Sequence, residues 1–188
     1  IVAGLNNGMG QLVGVGIACA VAGLVVGTLS MADLTGKISS GMFTLAGGSY
    51  ALTLLVATAV IILLGMGMPT PAVYALAAVL AAPALLALKI ELLPAHLFIV
   101  YFASLSAITP PVAVAAFAAA SIARTNPIAV AFLACRVGIV AFVLPLVFVN
   151  QPGVLLMGDA TTVVTTIGFV LMGAMCLVIA FEGWLFGL

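Results

Sequence analysis

Two short stretches of this chain hold the residue types that could do chemistry, Gly65-Met66-Gly67-Met68-Pro69-Thr70-Pro71 and Ser106-Ala107-Ile108-Thr109-Pro110-Pro111. Each joins prolines, which cannot continue a helix unstrained, to a hydroxyl side chain within a long apolar run. Lipid cannot satisfy a carbonyl or amide released from a helix, so such backbone survives at membrane depth only where it is buried in protein or lines a watery cavity. A half-helix N-terminus presents free N–H groups and the positive dipole end, whereas C-terminal ends and unwound turns present free carbonyls. The two stretches therefore read as halves of one solute or ion site, offering carbonyls to a bare monovalent cation and amides to an anion with no fixed side-chain charge. Thr70, Ser106 and Thr109 add hydroxyl oxygens, and Gly65 and Gly67 let backbone come close. Two merely kinked helices are the alternative.

Composition fixes the setting of these breaks. Hydrophobic residues make up 66% of the 188 and charged residues 4%, with mean hydropathy +1.52, against roughly 45–50% and 25% in ordinary soluble domains. This is the composition of an integral membrane chain. Its apolar runs are continuous rather than alternating, which predicts helices and not a barrel. Four basic and four acidic residues cancel, so there is neither a nucleic-acid footprint nor a polybasic patch for anionic lipid. Cys19, Cys135 and Cys176 stand far apart without a CxxC and read as small apolar residues. The chain opens on Ile1-Val2 with no basic n-region or cleavage pattern, so it reads as a piece of a longer protein without a signal peptide.

The elements that must position the breaks follow in order. A first transmembrane helix up to Ser30, with Gly10-xxx-Gly14 and Gly23-xxx-Gly27 suited to close helix packing, leads into a polar interfacial segment, so that 1–48 form one unit. A second unit, 49–124, contains the transport-site module. No charge occurs between Ile38 and Leu88, too long a run for one span, and the breakers at 65–71 split it into arms at about Ser49–Leu64 and Pro71–Leu88. Two full spans with a watery turn would give the same arms, but the tip lacks the Asn, Asp or Ser of such turns and predicts a re-entrant hairpin. The second break divides the next helix into halves at about Ala95–Ala107 and Val112–Ala123. The third unit, 125–188, holds two further spans, Pro127 to about Val149 and Thr161 to Phe181, with Glu182 and Trp184 at an interface. By parity, Gly48, Lys89 and Asp159 share one membrane face and Arg124 the other. The fold class expected is an all-α helical membrane bundle with a re-entrant hairpin and a discontinuous helix.

Leu64-Gly65-Met66-Gly67-Met68-Pro69-Thr70, Ala95-His96-Leu97-Phe98, Ser106 to Ala113 and Ala116-Phe117-Ala118-Ala119-Ala120 resemble the C-terminal half of the large membrane subunit of TRAP transporters, in its TAXI-type fused form. The likeness covers most of the chain and is densest from Gly65 to Asn150. It implies one repeat of an inverted-repeat, elevator-type permease of the bacterial inner membrane, coupled to sodium and moving organic acids. It implies a sodium site at Gly65, Gly67, Thr70, Ser106 and Thr109, partly through backbone carbonyls, and places Lys89 on the periplasmic side. The implied partners are a periplasmic solute-binding protein, a small membrane subunit or its fused equivalent, and the missing N-terminal half of the same permease.

Other residues bear on the solute. Pro69 and Pro110 sit where substrate would meet the breaks. Arg136, expensive within a membrane, could hold a substrate carboxylate, cap carbonyls of the broken helix, or snorkel to the Arg124 face. His96 reads as a scaffold contact more readily than a proton relay. Asp33 and Asp159 are lone surface carboxylates and no serine lies in a nucleophile elbow, which excludes a hydrolase. A structural subunit without an ion site is the rival reading, and no ring of charge points to a channel.

Overall fold

The computed structural model describes the backbone of residues 2–183, with side chains of residues 8–183 except residue 11. Trp184, expected at an interface, lies outside the described residues. Among the described residues the nine long elements are α-helices: α1 (Val2–Met31), α2 (Leu34–Leu45), α3 (Tyr50–Leu64), α4 (Thr70–Ala87), α5 (Leu92–Leu105), α6 (Val114–Ala123), α7 (Pro127–Val137), α8 (Ile139–Asn150) and α9 (Ala160–Glu182), with a 3-10 turn at Pro152–Leu155.

Among the described residues three helices are long and apolar enough to cross a membrane, Gly8–Met31 of α1, α4 and α9, with the bent pair α6 and α7 a fourth if it makes one span. The three differ in their surroundings. Half of the α4 window is buried, against 6% for α1 and for α9, so α4 is the hub and the other two lie outside. Apolar side chains on all sides of a helix suit such a position, and α4 packs against α1, α2, α3 and α5. Its buried Val73, Ala77, Ala81 and Leu85 meet Ile61 of α3, Phe98 and Phe102 of α5 and Phe148 of α8 in one cluster. Alanines at two of those four α4 positions, Ala77 and Ala81, let the neighbouring backbones approach.

Pro83 lies inside α4, where its ring and missing N–H disturb the ladder one turn back. The Ser39 hydroxyl of α2 donates to the Leu80 carbonyl at 2.7 Å, in a buried setting. The bond ties α2 to α4 in the turn that precedes the proline. The segment expected to be a polar loop or short interfacial helix is thus a 12-residue helix that grips the hub.

The helix expected to run unbroken from Pro127 to Val149 is divided at Gly138. Glycine contributes little to a helix interior, and here a Cβ would fall 2.9 Å from the Ala134 carbonyl and 3.5 Å from the Ile108 side chain. The start of α7 is well specified: the Asn126 side chain accepts from the Ile128 and Ala129 amides at 2.9 and 3.4 Å, and Pro127 occupies the first turn. Between α6 and α7 the chain bends by 118°, with Arg124 in the left-handed region at φ 51°.

Candidate functional site

The hairpin of α3 and α4 ends in a tip at 65–69, and α5 ends where the Pro110-Pro111 segment begins. At 15 residues, α3 is about 22 Å long, and the 14 residues of α5 give about 21 Å; both stop short of a hydrocarbon core of about 30 Å. Their ends meet inside the protein.

The decisive contact is between the two breaks. Ser106, 2% exposed, has its hydroxyl 3.2 Å from the Gly65 carbonyl and 2.7 Å from that of Ala103. A Cβ on Gly65 would clash with the Oγ and Cβ of Ser106, so only glycine fits. Gly67, at φ 82°, is the left-handed turn of the tip, a conformation that costs glycine nothing. Its Cα faces Val112 of the second break, whose Cγ1 would be 3.7 Å from an added Cβ. Thr70 begins α4, and the Thr109 hydroxyl folds back on the Leu105 carbonyl at 2.8 Å, leaving its oxygen lone pairs available.

The paired breaks carry backbone groups of both signs that lack backbone partners. Among the described residues, the carbonyls of Met66, Gly67, Met68, Pro110 and Pro111 accept no backbone N–H, and the amides of Gly67, Met68, Thr70 and Val112 donate to no backbone carbonyl. Gly67, Pro111 and Val112 are exposed and Met66, Met68, Thr70 and Pro110 half-buried, so these groups are open to solvent or to a ligand. Here both signs of unpaired dipole are gathered at one place, without a charged side chain in either stretch. The second break ends on Ala113, left-handed at φ 32° and 1% exposed. An alanine there costs roughly 1–2 kcal/mol, and it is held by packing with Ala116 and Ala131. Such strain concentrates at functional sites; no sequence signal marked it.

Not every expected residue arrives at the breaks. The Arg136 guanidinium donates to the Phe181 carbonyl at 2.6 and 3.0 Å and lies 3.8 Å from the Glu182 carboxylate. It therefore caps the end of α9, where cations suit the dipole. His96 Nδ1 lies 3.0 Å from the Tyr74 hydroxyl, joining α5 to α4. Among the described residues no group of three or more His, Cys, Asp and Glu could hold a metal ion.

The model of the family described as "Tripartite ATP-independent periplasmic transporter, DctM component" matches residues 1–182. The chain belongs to the DctM family. It is accordingly a multi-pass membrane component of a TRAP secondary transporter, a transporter family and not an enzyme family. DctM permeases normally work with a substrate-binding protein and a small subunit, as the tripartite description conveys. No curated protein and no solved structure matches the chain significantly.

Proposed function

We propose that this DctM chain is the C-terminal half of a TAXI-type fused permease, one repeat of a sodium-coupled, elevator-type symporter for organic acids in the bacterial inner membrane. In this reading the α3–α4 hairpin re-enters the membrane and meets the discontinuous α5–α6 helix at the transport site. Sodium is held by Gly65, Gly67, Thr70, Ser106 and Thr109, partly through backbone carbonyls. Carbonyl and hydroxyl oxygens without carboxylates suit a hard monovalent cation. Substrate carboxylate meets the free amides beside Pro69 and Pro110. Arg136, engaged at the end of α9, is left out of the substrate site. A periplasmic solute-binding protein delivers the acid, and the small subunit or its fused equivalent and the N-terminal half complete the machine.

The observation that carries this reading is the Ser106–Gly65 contact, which joins two unwound segments with unpaired dipoles of both signs. Discontinuous helices used in this way are the recurrent substrate and ion sites of secondary transporters. The test is thiol labelling in the complete permease with Cys19, Cys135 and Cys176 replaced by serine. Thr70→Cys and Thr109→Cys should react with a maleimide more slowly in sodium than in choline. Labelling indifferent to sodium, together with sodium-independent uptake, would instead make the chain a scaffold without an ion site.

A further inference from the structure

The second break has a third neighbour. The residue three positions after Ile108 is Pro111, which has no N–H, and the Val112 amide four positions on donates to no backbone carbonyl. The Ile108 carbonyl is thus released from the helix of α5. The Cys135 thiol of α7 donates to it at 3.4 Å. One turn further, where Gly138 divides α7 from α8, the backbone comes close to the Ile108 side chain. The end of α7 therefore closes over the peptide that joins Ile108 to Thr109.

We propose that Cys135 is a positioning residue for the ion site: by holding the Ile108 carbonyl toward α7 it fixes the plane of the 108–109 peptide, and with it the direction in which Thr109 presents its oxygens. This inference rests on the sodium reading of the paired breaks and adds an element, α7, to it. Without the thiol, the Ile108 carbonyl has no donor and turns in search of one, and Thr109 turns with it. The chemistry required of residue 135 is a small side chain with one donor, so serine should serve and alanine should not.

The experiment is sodium-dependent uptake by the complete permease reconstituted with its binding protein, comparing wild type with Cys135→Ser, Cys135→Ala and Cys135→Val. Valine keeps the bulk without the donor and guards against a mere cavity effect. In both Cys135→Ala and Cys135→Val, half-saturating sodium should rise about three- to fivefold, the span of one modest hydrogen bond. Substrate KM at saturating sodium and the maximal rate should stay unchanged, and Cys135→Ser should stay within twofold of wild type. Three results would each overturn the proposal: apolar variants with wild-type sodium dependence, a serine variant as impaired as alanine, or an equal loss of maximal rate in all three. If wild-type uptake itself ignores sodium, the proposed function falls and takes this inference with it, a failure visible before any variant is made.

Discussion

The Ser106 hydroxyl and the Gly65 carbonyl stand 3.2 Å apart, and the space between the two residues admits no side chain on the glycine. Gly65→Ala should lower the thermal unfolding temperature of the purified permease, with an overpacking cost of about 1–3 kcal/mol. Ser106→Gly removes both clashing atoms and should recover part of that loss in the double variant. A double-mutant cycle measures the coupling; strictly additive effects would mean that the two breaks do not touch.

Tyr74→Phe should destabilise the packing of α4 on α5. The change deletes the hydroxyl that meets His96 Nδ1 and leaves the half-buried imidazole without its partner, at a cost of about 1 kcal/mol. The unfolding temperature should fall in Tyr74→Phe and fall little further when His96→Phe is added, since the second change removes the orphaned group.

Arg136→Gln separates capping from substrate recognition. With the guanidinium bound to the Phe181 carbonyl, loss of charge should speed amide hydrogen exchange in the last turn of α9 while substrate KM remains within twofold of wild type. The exposed Arg136–Glu182 pair contributes little by itself, so Glu182→Gln should have a smaller effect on exchange than Arg136→Gln.

Asp159 gives a pH prediction. The Thr161 hydroxyl, and after it the Thr161 amide, hold its carboxyl below the ordinary carboxylate range, as expected of an N-cap at the start of α9. A depressed native pKa means stabilisation that is fully present above the unfolded value, about 3.9, and lost as pH falls through the lower native value. The first turn of α9 should therefore begin to fray below about pH 4. Asp159→Asn should remove that dependence, with exchange at Thr161 and Thr162 as the readout.

The breaks were legible in the sequence because proline and glycine act locally. Pro110-Pro111 ends α5 wherever it is placed, and the arms expected at Ser49–Leu64 and Pro71–Leu88 agree with α3 and α4 within a residue or two. The DctM family was legible for the same reason, its likeness being carried by those breakers. What escaped depends on neighbours distant in sequence. Gly138 divides its helix although the glycines of α1 leave that helix unbroken, and the approach of Ile108 distinguishes it. Nothing near Arg136 announces that its partner is a carbonyl in α9. Ser39 belongs to the polar segment before the hairpin, and only the fold brings the Leu80 carbonyl of α4 to its hydroxyl.

That last bond bears on how the hairpin can respond to a ligand. With α4 tied to α2 through Leu80 and to α5 through Tyr74, its middle and first turns are both anchored. Any change in the angle between the two arms must be absorbed by rotation about the backbone of Gly65 to Met68. The swivel of the hairpin is thus the same short span that carries the unpartnered carbonyls of Met66, Gly67 and Met68, so under the proposed sodium reading occupancy and arm angle would vary together.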